Sequence, residues 1–586
     1  MTCSVPFSGF YAPRRKVWLP PLLIVAIYVV AVVLVDPRGE FPLNDDWTYA
    51  RSAFRLASGS GMQIDEWAAP SLVGQALYGG LIAFISGPGF LPLRLATLLL
   101  SCATATLLWF SLRELGATTR TAWVAVFAWI CNPIQFCLSF TFMTEIPFLF
   151  FVTAGVFLLI KARSQARDGL VAVSAACFGY AYLIRQTALL FILAGILSLL
   201  AFDSATAIRT RIRRAAVWGI ASGSFILAYH CWTIIRGGST PAVLRKLELL
   251  QHLGPTQLFG NSFGLLFYVT FMLAPLWVLR IPSLYGFVLN APKRHAVSIP
   301  AAWAIIAGTG FLWFRTHYSR PEYLPSAAFH AQMPYLLNIL YDTGLGPITL
   351  DPTYYGPPPT PVYPNIWLAV TLLTALGLVI LGTVCLHDLL RLRRTSGFRS
   401  EILSFLLLSS IGVAAFEIVF SHQQEGGLFD RHILAAALPA LLLAAAAEKP
   451  GDAPHRPGRL GARTSSGTFV LAAGLMIGSL AWFSVAATHD YLSWNRLRWK
   501  IGTGLLAQGV DPLRVSGGFE FNAWHNYDTF RARGDISKVY YWWYDDLEYL
   551  ITMEPQERYD VRSSKSYYSW VHGRTLSVYL LQRSRR

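Results

Sequence analysis

The stretch APSLVGQALYGGLIAFISGP, Ala69 to Pro88, decides how the rest of the chain is threaded. It is apolar enough to be taken for a membrane crossing, yet it carries Gly74, Gln75, Gly79, Gly80 and Gly87 and is barely the ~20 residues a crossing needs. If it crosses, every loop that follows changes side. On either side of it, apolar runs read as thirteen spans, at about 17–35, 92–112, 121–139, 146–160, 169–184, 187–202, 215–235, 261–279, 297–314, 366–387, 402–420, 432–447 and 467–487. With thirteen spans and the N-terminus inside, basic clusters such as Arg209, Arg211, Arg213 and Arg214, or Arg391, Arg393 and Arg394, face the cytoplasm, as the positive-inside rule prefers. A fourteenth span would place them outside. Ala69–Pro88 is therefore expected as a half-buried helix on the external side.

Composition agrees with this class. Of the 586 residues 54% are apolar or aromatic and only 14% charged, against roughly a quarter in soluble domains. The net charge of +16 lies in small groups between apolar runs and not on one polar face, which excludes a nucleic-acid reader and makes the charge an orientation signal. Six of the seven cysteines fall inside apolar runs, with no disulfide framework or zinc spacing. Val17 to Val35 is too long for a signal h-region and has no small-residue cleavage site after it, so it is expected to be a retained first span.

The expected organisation is an α-helical polytopic membrane protein, residues 1–487, with a first external loop at 36–91, followed by a small extracytoplasmic α/β domain at 488–586. In that tail Tyr549 to Met553 and Thr575 to Leu581 read as strands. The run Gly517 to His525 reads as either a strand and turn of an ordinary core or an aromatic surface for sugars, and Tyr540 to Tyr544 as core or a membrane-facing belt. The Pro/Tyr-rich loop Asp351 to Pro364 is expected to form an extended lid.

Chemistry concentrates on the external side. Asn44-Asp45-Asp46-Trp47 heads an amphipathic helix; Asn44 can cap it while both acids favour its positive end, or the acids can work. In the second external loop, Thr141-Phe142-Met143-Thr144-Glu145-Ile146-Pro147 puts a carboxylate at an apolar boundary, where it costs free energy unless it is paired, hydrated or used. Thr144 as a cap and Pro147 in the first turn offer a purely structural reading of Glu145. Asp45, Asp46 and Glu145 can supply a general base or bind a cationic or metal-bridged group, so a divalent metal stays open and no other cofactor is implied. Arg185, Arg315 and Asp430-Arg431-His432 lie at the same level, as interfacial anchors or as phosphate clamps. Glu417, one turn inside a span, would be satisfied by a neighbouring Arg.

The order of a single span, a long external loop opening on an acidic pair, Asn132-Pro133, the acidic mouth Met143 to Phe148 and the ending Leu183-Ile184-Arg185 resembles the C-type membrane glycosyltransferases. Within them it is most similar to the branch of protein O-mannosyltransferases and lipid A aminoarabinose transferases. The resemblance implies thirteen spans with an external α/β domain, and transfer of a sugar from a polyprenyl-phosphate carrier to an acceptor hydroxyl of a lipid, glycan or protein. It casts Asp45 or Asp46 as the base and Glu145 as the second-loop acid, a position commonly Asp in the family. Many relatives carry Lys-Pro-Pro where this chain has Trp67-Ala68-Ala69-Pro70, so Arg185 or Arg431, or more weakly Gln75 and Trp67, would have to meet the carrier. The partners expected are the carrier-linked sugar, the acceptor and the bilayer of a cell's plasma membrane. A lipid or solute transporter using the same acids is the alternative class, and the paired halves of broken helices typical of transporters are missing.

Overall fold

The computed structural model describes residues 18–202, 206–238, 253–317, 364–392, 397–421, 428–446, 461–534 and 543–584, with a few single positions between them. The apolar runs form helices throughout: α1 (Leu19–Val35), α2 (Asp46–Ala57), α3 (Val73–Ser86), α4 (Phe90–Glu114), α5 (Thr119–Ile130), α6 (Pro133–Ser139), α7 (Glu145–Ser164), α8 (Gly169–Ile184), α9 (Ala188–Ala201) and α10 (Ile208–Ile235). They continue as α11 (Pro255–Met272), α12 (Ala274–Leu279), α13 (Ile281–Asn290), α14 (Lys293–His317), α15 (Pro364–Leu392), α16 (Phe398–Phe420), α17 (Leu434–Ala446) and α18 (Gly461–Ala507). The expected lid at 351–364 lies outside the described residues except for Pro364, as do Arg320, His422, Glu425 and Tyr540 to Trp542.

Each of the thirteen apolar stretches coincides with a helix or a broken pair. By length and apolarity, however, six described helices qualify as crossings, or seven if the bent α5–α6 pair is one span, so the expected thirteen is not met on that measure. The stretch 121–139 does not run straight. It bends by 63° where Asn132 caps α6 through the N–H groups of Ile134 and Gln135 and Pro133 takes the first helical position. The stretch 261–279 is likewise broken after Met272, and α13 is a helix that hydropathy did not single out.

Helix α3, inside the deciding stretch, has 14 residues and so rises only ~21 Å, short of a ~30 Å hydrocarbon core. Its glycines let it lie against its neighbours. A Cβ at Gly79 would sit 2.3 Å from the Phe142 ring, and one at Gly80 would sit 2.9 Å from Leu56 on α2. Leu77, Leu81, Phe84 and Ile85 face outward.

Helix α18 has 47 residues, roughly 70 Å, and runs unbroken past residue 487. The terminal region then adds α19 (Phe519–Ala532) and a sheet in the order β1-β2-β4-β3, with β1 at Val515–Ser516, β2 at Tyr549–Thr552, β3 at Tyr559–Ser569 and β4 at Arg574–Arg583. β1 pairs parallel with β2 (Val515 opposite Tyr549), and β4 pairs antiparallel with both β2 and β3. The two strand-like runs read from the sequence are β2 and part of β4. Of the run Gly517 to His525 the expected turn is present at Gly517-Gly518, with Gly518 at φ 93°, but Phe519 to His525 opens α19 and is no strand. Asp490 of α18 anchors the β3–β4 turn by accepting from the Ser569 hydroxyl (2.6 Å) and the N–H groups of Trp570 (2.8 Å) and Val571 (3.1 Å).

Candidate functional site

The segment between α1 and α4 is shaped by one buried arginine. Arg94 of α4, fully buried, donates to the carbonyls of Pro37 (3.0 Å), Gly39 (2.8 Å) and Phe41. These bonds fold residues 37–41 back over α4 just ahead of α2. Asn44 does not cap α2. It takes a left-handed conformation, φ 57°, and its side-chain oxygen accepts from the Asp45 N–H at 2.8 Å.

Asp45 turns toward a cationic partner from the other end of the chain. Its Oδ2 accepts from Arg431 Nη2 at 2.8 Å, and its Oδ1 from the Trp67 indole N–H at 3.2 Å. Arg431 Nε lies 3.5 Å from Glu145 Oε1, the same oxygen that accepts from Arg185 Nη1 at 2.7 Å. Arg185 also donates to the Thr144 hydroxyl at 3.0 Å, so Thr144 serves the arginine and makes no side-chain cap for α7. The result is a row, Asp45–Arg431–Glu145–Arg185, drawn from four separate parts of the chain, each at or beside the end of a helix. Side-chain exposures of 18%, 6%, 4% and 13% leave Asp45 the most open member. Burial works against the charge on Arg431, and Asp45 and Glu145 more than offset it, holding the guanidinium above its ordinary range. Met143 and the ring of Phe429 pack around that guanidinium. Among the described residues, Glu145 Oε2 and Arg431 Nε are buried without a hydrogen-bond partner. A donor and an acceptor in the middle of the row are thus left for something else to satisfy.

The other candidates are placed differently. Asp46 is fully buried and accepts from the N–H groups of Leu43 (2.5 Å) and Phe142 (3.1 Å). Burial pushes its carboxyl up, to about 8, against the pull of Arg94. Gln75, also buried, donates to the Phe142 carbonyl at 3.0 Å. Asp46 and Gln75 therefore hold Phe142 from both sides and support the loop that presents Glu145, without reaching the row. Trp67 joins the row by its N–H, while its ring sits in an aromatic cluster with Trp47, Phe519 and Trp543. Glu417 meets His432 Nδ1 at 3.4 Å, beside the row. Nothing is described for the Arg315 side chain. Among the described residues no group of three or more His, Cys, Asp and Glu side chains gathers as metal ligands. A divalent cation drawn to Asp45 and Glu145 would face two guanidinium groups, so this donor set does not suit one while both arginines are in place. The residues that sequence reasoning missed are Met143, Phe429, Glu520 and Arg498. Arg94 carried a signal, as a lone arginine inside an apolar run.

Residues 75–230 match the family model described as dolichyl-phosphate-mannose-protein mannosyltransferase, which bears out the resemblance read from the sequence. No curated protein sequence matches. Among solved structures, similarity extends to ArnT from Cupriavidus metallidurans bound to undecaprenyl phosphate, at 15% identity over 97% of this chain and 98% of that one, with a TM-score of 0.43. The Pmt1–Pmt2 protein O-mannosyltransferase complex of S. cerevisiae bound to its sugar donor matches at 16% identity over 40% and 34% of the chains, TM-score 0.32. The archaeal oligosaccharyltransferase AglB from Archaeoglobus fulgidus, in complex with an inhibitory peptide and a dolichol-phosphate, matches at 13% identity over 92% and 70%, TM-score 0.42.

Proposed function

We propose that this protein is a membrane glycosyltransferase that moves a sugar from a polyprenyl-phosphate carrier to an acceptor hydroxyl at the extracytoplasmic face. The observation that carries this reading is the row of two acids and two arginines, with Asp45 at its open end. An arginine fork suits a phosphate, and a partly exposed carboxylate beside it suits a proton acceptor.

In this reading the row is self-neutralised at rest, because each arginine is occupied by a carboxylate. The carrier phosphate competes for Arg431, and Asp45 is released as the phosphate docks, still oriented by the Trp67 N–H. The acceptor oxygen then bonds to the anomeric carbon, its proton passes to Asp45, and the bond from that carbon to the phosphate oxygen breaks with its electron pair leaving on the phosphate. Arg431 and Arg185 stabilise the charge that develops there, and Glu145 keeps both guanidiniums in place. Asp46 and Gln75 hold the loop and take no part in the transfer.

The test is sugar transfer from undecaprenyl-phosphate mannose, with the purified protein in bilayer discs. Asp45→Asn should lower the rate about 10²- to 10⁴-fold, and Arg431→Met should weaken retention of undecaprenyl phosphate. Full activity in a folded Asp45→Asn protein sinks the base assignment. Flux of the lipid across the membrane without transfer would favour a transporter instead.

A further inference from the structure

Glu520 stands in the first turn of α19 in the terminal region, 476 residues from Asn44, yet its Oε1 accepts the Asn44 N–H at 2.8 Å. Its Oε2 accepts from Arg498 Nη2 at 2.8 Å, with both side chains 0% exposed. A buried carboxylate is costly unless its charge and lone pairs are met, so Glu520 is held in one place by Arg498 and in turn holds one backbone amide. That amide belongs to the residue before Asp45. Asn44 sits at φ 57°, the left-handed region that asparagine enters more readily than other side-chain-bearing residues, and the bond from its N–H to Glu520 holds it there.

A second tie acts from the other side. Asn44 Nδ2 donates to Asn338 Oδ1 at 2.8 Å, while the next two residues, Ile339 and Leu340, donate their N–H groups to Asp430 at 3.0 and 2.6 Å. Asp430 immediately precedes Arg431. The backbone before each partner of the Asp45–Arg431 pair is therefore fixed by a buried acid or by the 338–340 segment, and among the described residues of the terminal region it is Glu520 that does so.

We infer that Glu520 is a positioning residue for the transfer, fixing the left-handed turn at Asn44 and so the aim of the Asp45 carboxylate. The inference rests on the base role proposed for Asp45. It predicts that what matters at position 520 is an acceptor oxygen facing the Asn44 N–H, and not the charge.

The experiment compares full-length variants in bilayer discs, with undecaprenyl-phosphate mannose for turnover and undecaprenyl phosphate for binding. Glu520→Asp keeps the charge beside Arg498 but withdraws the oxygen by one methylene. It should lower kcat about 10²-fold, the order expected for a misplacement near 1 Å, with donor KM unchanged and amide exchange at residues 43–47 accelerated. The double variant Arg498→Met/Glu520→Gln retains an acceptor oxygen without the buried charges and should stay within about tenfold of wild type, whereas Arg498→Met/Glu520→Leu should fall as far as Glu520→Asp. Equal rates in the two double variants overturn the inference. So does Glu520→Asp with wild-type kcat, whether or not exchange at 43–47 changes. If the double variants fail to fold, Glu520→Asp decides alone. Should Asp45→Asn retain full activity, the base role falls, while exchange at 43–47 still reports whether Glu520 holds the loop.

Discussion

Asp45 reaches Arg431 and an indole N–H, while Asp46, one residue on, turns inward to two backbone amides and the neighbourhood of Arg94. One step along the start of a helix rotates a side chain by about 100°, which sends adjacent acids to different surroundings. The two should therefore fail differently. Asp45→Asn should spare the melting midpoint while lowering transfer. Asp46→Ala leaves two buried N–H groups without their acceptor, and should cost about 1–3 kcal/mol of stability, read as an earlier thermal unfolding in detergent. Indistinguishable melting of Asp46→Ala and wild type would refute this division. The acidic pair and Glu145 were legible from the sequence because charge at an apolar boundary demands a reason. Which of the neighbours would face Arg431 was not, since that depends on the turn at Asn44, and the turn is imposed by residues hundreds of positions away.

At the scale of elements, apolar periodicity located the helices and the Asn-Pro signal marked the α5–α6 boundary, but hydropathy averages over a bend and so read 121–139 as straight. Gly517-Gly518 was legible as a turn. What followed was obscured because Phe519 to Ala523 alternates apolar and polar residues and imitates a strand, whereas α19 buries all five of them on both faces and then Asn526, Tyr527 and Phe530. On the same helix His525 packs by its ring against Phe521 and Trp499, with its Nε2 buried and unpartnered among the described residues. Burial lowers its pKa from 6.5 to about 4. A base whose folded pKa is depressed binds its proton more readily when unfolded, so this packing contributes stability above pH ~6.5 that is lost as the pH falls toward 4. His525→Phe should flatten that part of the pH–stability curve. A loss over pH 6.5 to 4 as steep as in wild type would count against it, measured by thermal shift or by tryptophan fluorescence.

Across the whole molecule, polar ties sort the loops into two sets. Lys161 joins Glu114, Arg163 joins Glu401, Arg213 and Arg214 join Asp168, and Arg280 joins Asp388. In the other set Asp45 joins Arg431, Glu145 joins Arg185, Arg236 donates to the Ile64 carbonyl, and Gln257 and Asn261 to that of Ser421. These are the sets that the alternation of loops read from the sequence places on opposite faces. An extra crossing at Ala69–Pro88 would part Asp45 from Arg431 by the thickness of a bilayer. In a cysteine-free background, Ser564→Cys on β3 should react with a membrane-impermeant maleimide in intact cells, and Thr119→Cys at the start of α5 only after permeabilisation. Equal labelling of both in intact cells would contradict the alternation. The fold class was thus legible because charge and apolarity obey the bilayer; the convergence of loops was not, since it arises from side chains that the bilayer does not select. One further property follows from the length of α18. That helix carries both Asp490, which holds the β3–β4 turn, and Arg498, which holds Glu520, so the terminal region is fastened at two points along one unbroken helix and displacing it would have to break both ties.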